Sequence, residues 1–536
     1  MRLIDYRINQ IRVRLNYSEN EVLSKVLKIT RLKPVDIKDL KIIRRSLDAR
    51  HKPVYIMTVQ ISTEKKLPRH RDIQIYKPKS DPFKPVKIKN YTGKSPVVIG
   101  AGPAGLMAAL VLAESGLKPV IIERGSMAQE RASDIKNYLQ SGQLNPDSNL
   151  LFGEGGAGLF SDGKLTARSK DRRIIKLFFD ELVNCGAPEN IRLDAEPHLG
   201  SDLLLKIIPR LREKIIHLGG IFYFNERVDA FEFVQNRIKR VITINQTIDT
   251  DAVILATGHS ARDIYKFLSV NDAGLAAKPF AIGVRVELPQ KLVDRTQYGK
   301  YAGDPELEAA SFRLTRKPEN GVRSCYTFCM CPGGEVMPCA SDPGMITTNG
   351  MSWSARDGKK ANAAFLVPVN EQDFSNYKKS EYPHLEGLFF QESVEKKIFR
   401  AGGENYTIPA SRLSDFLKNR ASEHLPQQSS CKRITLTNIN GILPDYVENT
   451  LKNSVPKMLK QIGNPNHDDV AVYCGETRSS SPVRILRKKD DLESVNIEGL
   501  YPCGEGSGYA GGIVSSAIDG IKSAEHLLQK IKKEIL

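Results

Sequence analysis

Pro96-Val97-Val98-Ile99-Gly100-Ala101-Gly102-Pro103-Ala104-Gly105 decides the fold. Four apolar or turn-compatible residues run into the spacing G-x-G-x-x-G. A helical stretch, Leu106 to Glu114, follows, then a second apolar strand from Pro119 to Ile122, closed by Glu123. Each part has a physical task in a dinucleotide fold. Gly100 permits the tight turn, Gly102 lets the backbone approach a pyrophosphate, Gly105 lets helix pack on strand, and the helix N-terminus stabilises phosphate charge. Glu123 stands where a carboxylate accepts from ribose hydroxyls. A lone glycine triplet is weak, whereas strand, triplet, helix, strand and acid in sequence make a specific signal.

An acid at the ribose position suits an adenosine without a 2′-phosphate and leaves NAD and FAD both open. Two further segments choose between them. Asp251-Ala-Val-Ile-Leu-Ala-Thr257-Gly258 reads as a buried strand ending in A-T-G, after a helical stretch at 202–218 and strands near 221–233 and 237–248. Gly499-Leu-Tyr-Pro-Cys-Gly504-Glu505-Gly-Ser-Gly-Tyr-Ala-Gly511-Gly512-Ile513 reads as strand, glycine-rich loop and helix. Three segments in this order indicate FAD. The uncharged run Ser95 to Ala113 is long enough for a membrane helix, but its glycines and Pro103 break it into strand, turn and helix. No membrane partner is expected.

The chain resembles the superfamily with the glutathione-reductase-type FAD domain. Within it, five blocks resemble a family of uncharacterised FAD-dependent dehydrogenases with a ferredoxin-like N-terminal domain. They are Phe152 to Leu165, Pro279 to Glu287, Cys329-Met-Cys331-Pro-Gly-Gly334, Gly475-Glu476-Thr-Arg478-Ser-Ser-Ser-Pro-Val-Arg484, and the C-terminal glycine block. The resemblance implies that Gly100, Ala101, Gly102, Pro103, Ala104 and Gly105 hold the pyrophosphate. It places Glu123 and Arg124 at the adenosine ribose and the Val228 backbone at the adenine. Thr257 and Gly258 close beside the cofactor. Gly504-Glu505 stands where related flavoproteins carry Gly-Asp, so a longer acid meets the ribityl or phosphate region. Free amides at Gly511, Gly512 and Ile513 would face the flavin pyrimidine edge and stabilise negative charge there.

The Gly153-to-Lys164 loop is rich enough in glycine to lie against the isoalloxazine, with Gly155, Gly156, Gly158, Lys164 and Leu165 as its contacts. Flavin performs hydride or electron transfer itself, so the protein's part is to orient substrate and tune the ring. Cys331, ahead of Pro-Gly-Gly, is the candidate active-site thiol. Glu476 and Arg478 are the other catalytic candidates, arginine offering a fixed fork for a substrate carboxylate, with an ion pair holding the domains together as the alternative. Cys325, Cys329, Cys331 and Cys339 lack the paired spacing and nearby histidine of a metal site, so no metal is expected. Arg285 and Glu287 alternate along a strand, and His259 is near the cofactor by chain position alone. A second, separate G-x-G-x-x-G dinucleotide module is missing from the sequence reading. A nicotinamide, NADH or NADPH, would therefore act as a transient donor bound directly over the flavin, or electrons would come from substrate or a protein donor.

Composition bounds the rest. The 536 residues, 40% hydrophobic and 26% charged, exclude disordered and fibrous chains and leave room for several domains. Eight cysteines without framework spacing and arginines in the first fifteen residues fit a cytoplasmic protein with free thiols. Residues 1 to 94 hold 24 Lys/Arg against 9 Asp/Glu, which places +15 of the +17 net charge in one segment. Strand periodicity at 7–15, a capping box at Ser18 and Glu21, and a strand at Val54 to Ile61 make that segment a small α+β domain. The Pro/Lys-rich stretch at 77–94 is its linker.

The expected architecture is α/β: a discontinuous Rossmann-like FAD-binding domain with an inserted α+β substrate domain and an N-terminal α+β ferredoxin-like domain. The expected boundaries are 1–92, 93–270, 271–464 and 465–536. The leading function is an FAD-dependent oxidoreductase of dehydrogenase type acting on a small molecule. One alternative is a flavoprotein that binds or acts on RNA through the basic domain, whose charge attracts any polyanion. Another is a flavin-stabilised interaction or electron-relay protein.

Overall fold

The computed structural model describes residues 3–76, 83–89, 91–166, 169, 171–319 and 321–535. Residues 77–82 and 90 of the expected linker lie outside them. The N-terminal segment folds as strand Ile4–Val13, helix Glu19–Thr30, and strands Asp39–Asp48, Val54–Thr63 and Ile73–Ile75. The Asp39–Asp48 strand lies outermost, followed by Val54–Thr63, Ile4–Val13 and Ile73–Ile75, all antiparallel. That is the ferredoxin-like strand order, with the link at 64–72 in place of a second helix. Alternating Ile8, Val13, Met57, Val59 and Ile61 cover one face and bury Val22 and Val26 of the helix. Ser18 caps that helix as expected, accepting from the Glu21 N–H at 3.2 Å. Glu21 reaches back to the Arg14 N–H, so the box is only half closed. Arg45 joins this domain to the body through two hydrogen bonds to Asp194, 2.7 and 3.0 Å.

The dinucleotide fold is a five-stranded parallel sheet in the order Leu500–Pro502, Val253–Leu255, Val97–Ile99, Val120–Ile122, Ile221–Tyr223. Its central strands are three-residue runs of fully buried apolar side chains, the pattern of a sheet covered on both faces. Pro103–Glu114 starts directly after the first of them and packs against the long C-terminal helix Ile513–Ile535. The helices cross so closely that a Cβ at Gly520 would lie 2.9 Å from the Ala104 Cα. An antiparallel meander, Val228–Val234, Arg237–Thr243 and Thr247–Asp249, forms the expected strands between helix Ser201–His217 and Val253–Leu255.

The inserted segment is built on a seven-stranded mixed sheet with its own core. Its middle strands are Cys325–Cys331, Lys360–Val369, Phe280–Pro289 and Ala471–Glu476, in that spatial order. The last of these corrects a boundary. The second part of the FAD domain was expected to begin at 465, yet Ala471–Glu476 pairs antiparallel with Phe280–Pro289 and belongs to the inserted sheet. All six of its residues are buried there, and its other edge pairs with Ile408–Arg412.

Candidate active site

The C-terminal ends of the parallel strands open into a cavity of about 550 Å³ whose opposite wall comes from the inserted segment, from its mixed sheet and from the separate hairpin Glu335–Cys339 and Thr347–Met351. This is where open parallel sheets place their ligands, and the volume is that of a small-molecule site. One end is bounded by Glu123, Arg124, Arg227 and Val228, the other by Phe328, Cys329, Thr348 and Asn349.

Along the dinucleotide side, Gly100, Gly102, Pro103 and Ala104 line the cavity, while Ala101 and Gly105 stand behind it. Gly105 is required by packing: a Cβ there would lie 3.0 Å from the Gly100 carbonyl carbon and nearer still to its oxygen. Gly100 needs its positive φ of 100°. The Ala101 N–H donates to Glu123 Oε2 at 2.8 Å, and the Gly125 and Gly153 N–H groups donate to Glu123 Oε1 at 3.0 Å each. Glu123 thus ties three loops together as well as lining the cavity. Arg124 stacks on Phe152 at 4.4 Å and pairs with Asp263 and Asp147.

Gly156, Gly158 and Lys164 line the cavity, whereas Gly155 and Leu165 pack behind it, Gly155 donating its N–H to the Ala101 carbonyl at 2.8 Å. The loop is held by a residue that sequence reading missed. Arg131 is fully buried and donates to the carbonyls of Asn149, Glu154 and Gly156, each at 2.8 Å. Thr257, Gly258, Gly504, Glu505, Gly511, Gly512 and Ile513 complete the cofactor side. A Cβ built at Gly258, Gly511 or Gly512 would meet nothing within 4 Å, so these glycines border open space. A helix N-terminus, a glycine-walled trough and a carboxylate at the far strand end are together what an FAD requires, and the residues fit it.

Two titratable groups in this wall are shifted. Burial pushes the Glu505 carboxyl up to about 7, against the opposing Gly512 N–H and Lys278. Burial, then the charges of Arg478, Arg262 and Lys278, push the His259 imidazole down to about 3. His259 Nε2 lies 3.9 Å from Glu505 Oε1, and its Nδ1 is buried without a protein partner. The imidazole is neutral and its free ring nitrogen is an unused polar group beside the trough.

On the opposite wall, Glu476 and Arg478 reach the cavity as expected, but each is committed to an ion pair. Glu476 holds Arg285 at two points, 2.9 and 3.0 Å, and accepts from Thr348 Oγ1 at 3.0 Å. Arg478 holds Glu395 at two points, 2.9 and 2.8 Å, and donates to Ser341 and Asp342. Arg262 binds the same Glu395 carboxylate at 2.9 Å. These side chains therefore brace the wall. Arg285 and Glu287, which alternate along Phe280–Pro289, are both buried.

The thiol expectation needs correction. Cys331 is wholly buried behind the wall, with its thiol pushed well up by its hydrogen bond with Cys329 and by burial. Cys329 and Cys339 line the cavity instead; Cys329 is in the positive-φ region at 42° and part of a β-bulge that interrupts pairing with Lys360–Val369. A strict strand alternation hides such a bulge, so sequence reading chose the wrong member. Phe328, 44% exposed at the cavity, was missed for the same reason. Among the described residues no group of three or more His, Cys, Asp or Glu is arranged to hold a metal, and no helix is long and apolar enough to cross a membrane.

Comparison with known proteins gives three family matches. Residues 94–267 match the pyridine nucleotide-disulphide oxidoreductase family, and residues 279–479 match the FAD-dependent protein, C-terminal domain-like family. Residues 5–62 match a domain of unknown function (DUF8436). An uncharacterised protein of Clostridium beijerinckii is 41% identical over 532 residues, covering 98% of each chain. Among solved structures, glycine oxidase from Bacillus cereus is 13% identical with a TM-score of 0.30, covering 82% of this chain and 95% of that one. Glycerol-3-phosphate dehydrogenase from Bacillus halodurans, complexed with FAD, is 11% identical with a TM-score of 0.35, covering 83% and 65%. At that distance neither substrate nor reaction transfers.

Proposed function

Because the chain belongs to the FAD-dependent oxidoreductase family, sharing 41% of its residues with a full-length relative and matching the family's C-terminal domain, we propose that it is a dehydrogenase-type flavoenzyme. It exchanges a hydride or electrons with a small molecule admitted beside Phe328 and Asn349. The observation that carries this reading is the shared cavity. Dinucleotide-side glycines form one wall, and side chains of the inserted segment form the other.

When bound, FAD supplies the two-electron chemistry. The chain's own residues bind and orient. Gly100 to Ala104 and the N-terminus of Pro103–Glu114 take the pyrophosphate, Glu123, Arg124 and Val228 the adenosine, and Gly511 to Ile513 present amides to the ring. The neutral His259 keeps a cation away from the trough, while the braced Glu476 and Arg478 hold the opposite wall rigid. With one five-stranded parallel dinucleotide sheet among the described residues, a nicotinamide donor would bind in this same cavity.

The test is an anaerobic absorbance titration of the flavin-loaded protein with NADH and NADPH. Bleaching of the flavin band at one nicotinamide per flavin is expected. Flavin that stays oxidised with both would remove the nicotinamide donor, and a chain that binds no FAD would overturn the reading.

A further inference from the structure

A nicotinamide donor that shares the flavin cavity lacks a glycine-rich turn of its own to cradle its phosphates, since the described residues hold one parallel dinucleotide sheet. Side chains have to meet that charge. The four lysines and arginines that line the cavity are already matched to carboxylates: Arg124 to Asp263, Arg227 to Asp229, Lys164 to Asp162 and Arg478 to Glu395. Lys278 and Arg484 are not. Among the described residues the Lys278 ammonium donates only to the Ser481 carbonyl, at 3.3 Å, next in the chain to cavity-lining Ser480. The Arg484 guanidinium has no carboxylate partner, and its Nε is buried without a hydrogen bond.

A short ribbon brings the two cations together. Leu275–Ala277 and Val483–Ile485 pair antiparallel with Ala276 opposite Arg484, and the Lys278 N–H extends the ladder to the Pro482 carbonyl at 2.9 Å. Alternate residues of a strand share a face, so Lys278 takes the position diagonal to Arg484, beside the small Ala276. Burial, and then the Arg484 charge, hold the Lys278 ammonium below the ordinary lysine value. Glu505 is the acid that acts on Lys278, and burial pushes its carboxyl up to about 7, so it offsets the lysine only in part. Tyr509, 42% exposed, has its ring 5.0 Å from the Arg484 guanidinium and 4.2 Å from that of Arg487. Arg487 is held by Asp519 at two points, 2.9 and 2.8 Å, which leaves Arg484 as the free fork. Tyr509 belongs to the 505–512 loop, and Glu505, Gly511 and Gly512 at the ends of that loop line the cavity.

We propose that Lys278, Arg484 and the Tyr509 ring form a subsite at the edge of the cavity that takes the phosphates of the nicotinamide donor. The proposal rests on the nicotinamide reading above and gives the charged part of that donor a place on the chain. Arginine presents a planar fork that binds two phosphate oxygens at once, and lysine adds a point charge. An aromatic ring beside them offers a plate on which a nucleotide base stacks. Two cations with one partly neutralised acid match the double charge of a diphosphate better than the single charge of a carboxylate.

Calorimetric titration of the FAD-loaded protein with inorganic pyrophosphate reads the subsite, because the glycine turn is then filled by the flavin nucleotide. Wild type is expected to bind pyrophosphate, and the double variant Lys278→Ala, Arg484→Ala to bind it about tenfold more weakly or worse, through loss of charge-assisted hydrogen bonds. Arg240→Ala, which removes an exposed arginine paired with Asp249 and Glu232, is expected to bind it as wild type does. Anaerobic flavin reduction then ties the subsite to the donor. The double variant should need about ten times more NADH for half-maximal reduction at an unchanged limiting rate. N-benzyl dihydronicotinamide, which carries no phosphate, should reduce both proteins alike. In wild type alone, pyrophosphate should compete with NADH and leave the phosphate-free donor unaffected, which decides the matter if the variants do not fold. Equal pyrophosphate affinity in wild type and double variant would overturn the proposal. So would pyrophosphate binding that is lost with no change toward NADH, which would assign the recess to a phosphorylated substrate. Wild-type flavin left oxidised by NADH and NADPH defeats the nicotinamide reading itself, a result distinct from a double variant that NADH reduces as readily as wild type.

Discussion

Arg285 and Glu476 face each other from neighbouring strands of the inserted sheet, joined at two points of 2.9 and 3.0 Å with neither side chain open to water. The pair sets the charge behind the cavity wall: it cancels the carboxylate and leaves guanidinium donors for the Cys329 carbonyl and Asn362. Removing one partner strands the other charge in the core. Glu476→Ala is expected to cost about 3–5 kcal/mol in urea unfolding of the FAD-loaded protein. The double variant Arg285→Met, Glu476→Leu is expected to recover most of that loss. A Glu476→Ala protein as stable as wild type would show that water reaches the pair.

The glycine triplet separates packing from ligand contact. At Gly105 a Cβ runs into the Gly100 carbonyl, so Gly105→Ala should fail to fold or lose several kcal/mol. At Gly102 a Cβ would meet only Gly156 Cα at an ordinary 3.7 Å, and φ is −81°. Gly102→Ala should therefore keep its melting temperature within a few degrees as apoprotein and lose FAD affinity tenfold or more, read by flavin fluorescence.

Ligand binding to the native state alone stabilises it by mass action. Free FAD at about a hundred times Kd should add about 2.7 kcal/mol, and stripping the flavin should lower Tm accordingly. Melting curves with and without FAD check this. No shift at saturating FAD would contradict the cavity assignment.

The Glu395 cluster gives a pH signature. Burial raises its carboxyl, but Arg262 and Arg478 overcome this and hold it at about 2, below the ordinary 4.5. The unfolded chain takes up the proton first, so the stabilisation is complete above about 4.5 and disappears as pH falls through 2. Urea midpoints measured from pH 6 to 2.5 should fall more steeply for wild type than for Glu395→Gln.

Much of the cofactor side was legible because short-range rules govern it. The strand, the glycine spacing and the acid at Glu123 are contiguous demands of one turn and one helix terminus. Long-range geometry governs what was missed. Arg131 anchors the Gly153–Lys164 loop through carbonyls some twenty residues away in sequence, and no periodicity marks it. The domain boundary near 465 failed because pairing of Ala471–Glu476 with Phe280–Pro289 joins strands nearly two hundred residues apart. For Glu476 and Arg478 both a place at the cavity and an ion pair were legible, but the partners Arg285 and Glu395, far away in sequence, were not.

The choice between Cys329 and Cys331 turns on thiolate character. The hydrogen bond from the Cys331 thiol, and after it the charges of Arg285 and Lys164, bring the Cys329 thiol down to about 7 against burial and Glu476, which act upward. The thiolate is the reactive form, so alkylation should rise with pH about a neutral midpoint. In Cys331→Ala that hydrogen bond is lost while Arg285 and Lys164 stay in place, and the midpoint should move upward. In Arg285→Met it should move further the same way, because the nearest buried cation is gone. Iodoacetamide rates from pH 5.5 to 9, with the labelled peptide identified by mass, check both. Labelling at Cys331 before Cys329, or a wild-type midpoint at the ordinary thiol value near 8.5, would reverse that choice.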